Sequence, residues 1–157
     1  MAIIVENGTG VADANSYVSE ADLTAFATSR GITLTQDEDI LLLIAMDYIE
    51  SLNFKGLKVE RNQALQWPRV DVYYDNYYAD SNVIPNELKN ALMQCAIAVD
   101  QGNDPAQDLV RSVKRQKVGS LEVEYMDGSI TSVKNRRILN SIRKLLASGG
   151  NMSVVKG

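Results

Sequence analysis

The spacing of apolar residues predicts a first helix over residues 19–29. Residues 19–22 read Ser-Glu-Ala-Asp, which is close to a capping box, and Gly31 suits the C-cap. Leu23 and Phe26 are the positions that we expect on its buried side. This helix therefore has both a start signal and a stop signal.

A second helix is predicted after Thr35, which stands at an N-cap position with acidic residues in the following turn. Its apolar positions have a helical spacing and form a wide buried face. They are Leu41, Leu42, Ile44, Ala45, Tyr48, Ile49 and Leu52.

Two further helices are predicted later in the chain. The third begins with Pro85 at its first helical position and ends before Gly102. Its apolar stripe comprises Leu88, Ala91, Leu92, Cys95, Ala96 and Val99. The last helix is expected over residues 135–147, and Gly149-Gly150 ends it. Its buried positions are Ile138, Leu139, Ile142, Leu145 and Leu146.

A short apolar run near the start of the chain and an alternation with a period of two late in the chain predict strands. Residues 2–5 suit a short strand, and residues 118–125 and 130–133 suit a hairpin that turns at Asp127-Gly128. We therefore predict an α+β fold, mainly α: a small helical bundle with a late β-hairpin at about residues 113–133. Residues 1–148 form a single domain in this interpretation, and residues 149–157 form a flexible tail.

The stretch between the second and third helices has no sustained period. Pro68 disfavours helical dihedral angles at Trp67, so we expect an ordered loop that the indole pins to the core. The loop also holds four tyrosines, Tyr73, Tyr74, Tyr77 and Tyr78. A loop of this length in a compact domain is usually an interaction surface or otherwise functional.

The amino-acid composition excludes several common catalytic mechanisms. The chain has no histidine and one cysteine, Cys95, which excludes Ser-His-Asp and Cys-His catalysis and cysteine-rich zinc sites. Gly8-Thr9-Gly10 lacks the pattern of a phosphate-binding loop and is interpreted as a turn. No apolar run approaches the roughly 18 residues of a membrane span. We expect a protein without enzymatic activity, cofactor, metal or membrane partner.

The two signs of charge are segregated. Residues 1–110 carry 6 Lys+Arg against 17 Asp+Glu, whereas residues 111–157 carry 10 against 3. The basic part could contact an acidic partner, and on the last helix it includes Arg136, Arg137, Arg143 and Lys144. The alternative is nucleic-acid binding by the basic run at 111–117 beside Tyr125, since cations neutralise phosphates and aromatic rings stack on bases. The acidic loop and the sequence pI of about 4.8 favour a protein interface.

Five stretches occur in the same order in a known family. They read MAIIVENGTGVADANSYVS, LNFKG, QALQWPR, IPNELK and VKRQKVGSLEVEY. The chain thereby resembles the head-to-tail adaptor (neck, head-completion) proteins of tailed phages, whose relatives often carry the label DnaT-like single-stranded-DNA-binding protein. The resemblance reaches from the start to about residue 125, and it departs in the loop at residues 72–80.

The resemblance implies a structural protein of the virion neck that is assembled in the host cytoplasm. Such adaptors form dodecameric rings that dock on the portal protein, extend the channel for double-stranded DNA without binding it specifically, and connect the next tail component. We expect Arg136, Arg137, Arg143 and Lys144 to face the portal. The tail-side or subunit contacts are expected at Tyr73, Tyr74, Tyr77, Tyr78, Tyr125 and Asp127. Trp67 and Pro68 are expected to anchor the fold, and the competing function is single-stranded-DNA binding.

Overall fold

The computed structural model describes residues 1–105, 113–117, 122–125 and 133–148. The described helices are α1 (Glu20–Thr28), α2 (Glu38–Glu50), α3 (Asn86–Asp100) and α4 (Val133–Ile142), which a 3₁₀ turn at Arg143–Leu145 follows. The strands are β1 (Leu57–Lys58), β2 (Arg69–Val70), β3 (Tyr73–Tyr74), β4 (Tyr77–Tyr78), β5 (Val113–Lys117) and β6 (Glu122–Tyr125). They form antiparallel pairs in sequence order, so the fold is α+β and mainly α.

The predicted capping box of α1 is confirmed. The backbone N–H of Asp22 donates to Ser19 Oγ at 3.1 Å, and the N–H of Ser19 donates to Asp22 Oδ2 at 3.0 Å. Gly31 follows with a φ of +67°, a conformation that glycine adopts without strain. Leu23 is fully buried and Phe26 partly buried, as the helical spacing predicted.

The start of α2 differs from the prediction. Asp37, not Thr35, is the N-cap residue, and no side chain caps the helix there. The backbone N–H and hydroxyl of Thr35 instead donate to Asp100 Oδ1, at 3.0 and 2.8 Å. A carboxylate at the end of α3 therefore fixes the loop before α2, a contact that local spacing does not reveal.

Helix α3 is the centre of the core and packs against α1, α2 and α4. All six apolar positions predicted for its buried stripe are buried. Pro85 lies at the N-cap, one residue before the predicted position. Among the described residues, no helix has the length and apolar composition needed to cross a bilayer.

The predicted strand at residues 2–5 is reduced to one parallel bridge, between Val5 and Ser16. The late hairpin also differs, because β5 pairs with β6 and Val113 lies opposite Tyr125. Val133, the expected end of the return strand, begins α4 instead. The predicted turn at Asp127-Gly128 and the tail at 149–157 lie outside the described residues.

The last helix ends earlier than residue 147. After Ile142 the chain tightens into the 3₁₀ turn and then runs antiparallel to residues 53–55. The N–H of Lys55 donates to the carbonyl of Leu145 at 2.9 Å, and the N–H of Ala147 donates to the carbonyl of Asn53 at 2.9 Å. These backbone bonds replace the helical ones and tie α4 to the central loop.

Candidate interaction surface

Trp67 anchors the central loop by burial. Its side chain is fully buried and meets the ring of Phe54 edge-on, with ring centroids 6.0 Å apart. The Trp67-Pro68 peptide bond is cis. Within the described structure the indole Nε1–H has no hydrogen-bond partner. The indole is therefore held by apolar packing, and the fully buried position leaves no face for stacking on a base.

A network of hydrogen bonds joins the backbone at Gln66 and Trp67 to the side chains of Tyr17 and Glu50. The hydroxyl of Tyr17 donates to Glu50 and accepts the backbone N–H of Trp67 at 3.2 Å. The other carboxylate oxygen of Glu50 accepts the backbone N–H of Gln66 at 2.8 Å. Burial raises the pKa of Glu50 and also that of Tyr17. This network ties the loop to α2.

Arg69 stabilises the same loop by hydrogen bonds to the backbone at residues 55–56. Its guanidinium is almost wholly buried and donates to the carbonyls of Lys55 and Gly56, each at 2.7 Å. It also donates to the side-chain oxygen of Gln66 at 3.0 Å. Burial lowers the pKa of Arg69. The residues of LQWPR thus hold the fold together and do not form an exposed site.

Two residues beyond β2 the chain forms an exposed tyrosine hairpin, which we define as residues 73–78. Asp75 and Asn76 both have positive φ, +51° and +67°, as a type I′ turn between two strands requires. Tyr73, Tyr77 and Tyr78 are 50%, 77% and 69% exposed. The rings of Tyr73 and Tyr78 lie 5.1 Å apart across the strand pair. The structure therefore presents aromatic side chains to solvent on a defined backbone.

Lys144 braces this hairpin. Its ammonium lies 2.6 Å from Asp75 Oδ2 and 3.0 Å from Glu87 Oε1, and 5.0 Å from the ring centroid of Tyr74. The hydrogen bond to Asp75 raises the pKa of Lys144, and the bond to Glu87 adds to this. Lys144 was expected to face the portal as a free cation, and the structure pairs it with two carboxylates of its own chain. The half-buried Tyr74 lies beneath it.

The other predicted contact residues are spread over the surface. Arg136, Arg137 and Arg143 are exposed, so α4 and its 3₁₀ turn present three cations to solvent. Tyr125 is the last residue of β6, which pairs with β5 and not with a strand of the tyrosine hairpin. Asp127 lies outside the described residues. Their proposed contacts stay predictions.

The turn at Gly8-Thr9-Gly10 is occupied by its own chain. The carboxylate of Glu6 is buried and accepts the backbone N–H groups of Gly8, Gly10 and Val11 at 2.8, 3.0 and 2.7 Å. These are the donors that a phosphate-binding loop would offer to its ligand. The turn is therefore structural.

Two further candidates for chemistry can be placed. Cys95 is buried in the core, and burial raises the pKa of its thiol to about 12, which opposes formation of a thiolate. In the described part of the chain, no group of three or more carboxylates or thiols is arranged to hold a metal ion.

Over residues 1–157 the chain matches the model of the family described as "Putative DnaT-like ssDNA binding protein". The chain belongs to this family. Neither the curated proteins nor the solved structures contain a match. The buried network around LQWPR thus describes how a DnaT-like family member holds its central loop.

Sequence reasoning found Trp67 and the tyrosines but missed their supports. Tyr17, Glu50 and Arg69 meet only in the folded chain, and no local pattern signals their contacts. The tyrosine hairpin did have a signal, since β-prone tyrosines flank Asp75-Asn76, two residues that tolerate positive φ.

Proposed function

We propose that this DnaT-like protein is a structural, ring-forming head-to-tail adaptor of a tailed-phage neck. In this function it docks on the portal, extends the DNA channel and connects the next tail component, and it catalyses no reaction. The observation that supports the proposal is the braced and exposed tyrosine hairpin.

The hairpin has the properties of a protein-binding surface. Tyrosine contributes a large contact area at a low cost in side-chain entropy and is enriched at interface hot spots. The type I′ turn and the contact of Lys144 with Asp75 hold the backbone that carries Tyr77 and Tyr78. Such pre-organisation reduces the ordering cost of binding.

The surroundings of the hairpin oppose stacking on a nucleic acid. Asp71 and Asp80 are exposed on either side of it. Carboxylates at these positions repel phosphates and leave the rings suited to a neutral or basic protein surface. The excess of acids in residues 1–110 also suits a channel wall along which DNA slides without being held.

The second candidate function is single-stranded-DNA binding, which the description of the family favours. Strand β5 carries a basic cluster, Lys114, Arg115 and Lys117. Among the described strands, it is the only such cluster whose partner strand contains an aromatic residue, Tyr125 opposite Val113. The register, however, places Arg115 opposite Glu124 and Lys117 opposite Glu122. The two paired strands together carry three basic and two acidic residues, a small net positive charge that attracts phosphate weakly.

A DNA-binding titration separates the two functions. Fluorescence anisotropy would be measured with a labelled single-stranded oligonucleotide over a series of salt concentrations, for the wild type and for K114E/R115E/K117E. We expect weak binding that the triple reversal hardly changes. Tight binding with a steep loss on added salt, abolished by the reversal, would overturn the adaptor proposal.

A further inference from the structure

We infer that the tyrosine hairpin of one copy of this chain docks into a groove on a second copy. The hairpin adjoins the first turn of α3, and the groove lies near the last turn of that helix. The groove, called here the arginine groove, is formed by side chains that include Phe26, Arg30, Ile32, Ile97, Arg137 and Ile138. The inference rests on the proposed ring and names the two surfaces that join its subunits.

The arginine groove has an apolar floor and a cationic rim. Phe26, Ile97 and Ile138 line it, and its volume is about 290 Å³. The guanidinium of Arg30 lies 3.4 Å from the centre of the Phe26 ring and donates to the carbonyl of Phe26 at 3.1 Å. Arg137 is exposed at the rim. One cation is thus held in place over an aromatic ring before any partner arrives.

The tyrosine hairpin is the complementary surface. It offers exposed aromatic rings with aspartates close in sequence, whereas the groove offers an apolar floor with arginines. Guanidinium groups stack on tyrosine rings and pair with carboxylates, so one arginine can use both parts of the hairpin. A rim that carries Arg30 and Arg137 favours an acidic partner surface over a basic one.

The two surfaces adjoin different ends of α3. Lys144 ties the hairpin to Glu87 in the first turn of α3, and the groove uses Ile97 near the end of the same helix. A rise of 1.5 Å per residue separates these positions by roughly 15 Å. A contact between different surfaces of two copies is head-to-tail, and such contacts close into rings when the rotation allows.

The contact is small, and this fits assembly on a template. Two tyrosines bury on the order of 150–250 Å² each, less than a standard interface of about 1,600 Å². A single junction is therefore weak, and closure of a ring or docking on a portal adds the effective concentration that stabilises the assembly.

Sedimentation velocity over a range of protein concentrations tests the inference. The wild type should self-associate, while Y77A/Y78A and R30E/R137E should each raise the dissociation constant at least tenfold. Matched controls are I40A/L57A, which removes exposed apolar side chains elsewhere, and K58E/R61E, which reverses two exposed charges outside the groove. Circular dichroism establishes that each variant is folded.

Mixing the two defective variants gives the sharper result. Y77A/Y78A keeps an intact groove and R30E/R137E keeps an intact hairpin, so the mixture should form heterodimers and nothing larger. A wild type that stays monomeric at its solubility limit, association that both variants leave unchanged, or a mixture without heterodimers overturns the inference. These three results concern self-association only. The adaptor function itself would be overturned by a different result, salt-sensitive DNA binding in the titration.

Discussion

Trp67 shows how a single residue determines the shape of the central loop. Its ring is fully buried against the ring of Phe54, and its backbone N–H donates to the hydroxyl of Tyr17. Loss of a buried aromatic side chain costs both its transfer free energy and the energy of the cavity left behind.

Truncation of Trp67 to Ala should lower the free energy of unfolding by about 3–5 kcal/mol, measured by urea denaturation. Trp67→Phe should cost clearly less, because phenylalanine keeps much of the apolar contact and removes the unpaired indole N–H. A W67A variant with an unchanged free energy of unfolding but lost partner binding would contradict a structural role.

Glu50 is a second residue whose environment makes a measurable prediction. Burial raises its pKa, so the folded state holds the proton over a pH window where the unfolded state has released it. The resulting stability is fully present below the ordinary glutamate pKa of about 4.3 and is lost as the pH rises through the raised value.

The wild type should therefore lose stability relative to Glu50→Gln as the pH rises from about 4 to about 7, in urea unfolding experiments. Asp47→Asn is the matched control, because Asp47 lies on the same helix but is exposed. Wild-type and E50Q stabilities that run parallel over this range would show that Glu50 does not titrate as its burial requires.

At the scale of elements, the tyrosine hairpin depends on a two-residue turn. Asn76 has a φ of +67°, which a β-branched residue adopts only with strain. The hairpin is bounded by a hydrogen bond from the N–H of Ala79 to the carbonyl of Val72 at 2.8 Å.

Asn76→Val should destabilise the hairpin by about 1–2 kcal/mol, while Asn76→Gly should be close to neutral. Hydrogen exchange at residues 73–79 measures this local effect, and exchange in α3 serves as the internal control. Equal protection of the hairpin in both variants would mean that the turn does not fix its conformation.

The elements differ in how far sequence predicts them. α1 and α3 were predictable because their apolar residues repeat over several turns and local signals mark their ends. Strands of two residues, such as β1 and β2, are too short for any period to be visible. The sequence predicted that residues 118–125 pair with residues 130–133, because Asp127-Gly128 between them is a strong turn signal. The structure instead pairs β6 with β5, the strand that precedes it in the chain.

The site was less predictable than the helices. Exposed tyrosines could be named from the sequence, but the contact of Lys144 with Asp75 joins residues 69 positions apart. Such contacts depend on how α4 packs on α3, which local patterns do not encode. Composition indicated only that the last helix is basic.

At the scale of the whole molecule, the separation of charge predicts which surface would meet a portal in the proposed function. Arg136 and Arg143 are exposed on the last helix and its 3₁₀ turn, in the basic part of the chain. Surface charges of this kind mainly raise the association rate and the salt sensitivity of binding.

Reversal of Arg136 or Arg143 to Glu should weaken portal binding mildly, and combination with deletion of residues 151–157 should weaken it severely, as measured by biolayer interferometry. Arg137 is tested separately because it lines the arginine groove. Lys144→Glu is unsuitable because it would break the brace of the tyrosine hairpin. Unchanged portal binding by the folded combined variant would place the docking surface elsewhere.

In the proposed function, this DnaT-like protein builds a ring on a portal. Electron microscopy of the protein mixed with the portal protein of the same phage tests it most directly. We expect a ring of additional density at the tail-facing end of the portal, coaxial with its channel. Portals that remain bare at saturating protein concentration would contradict the claim.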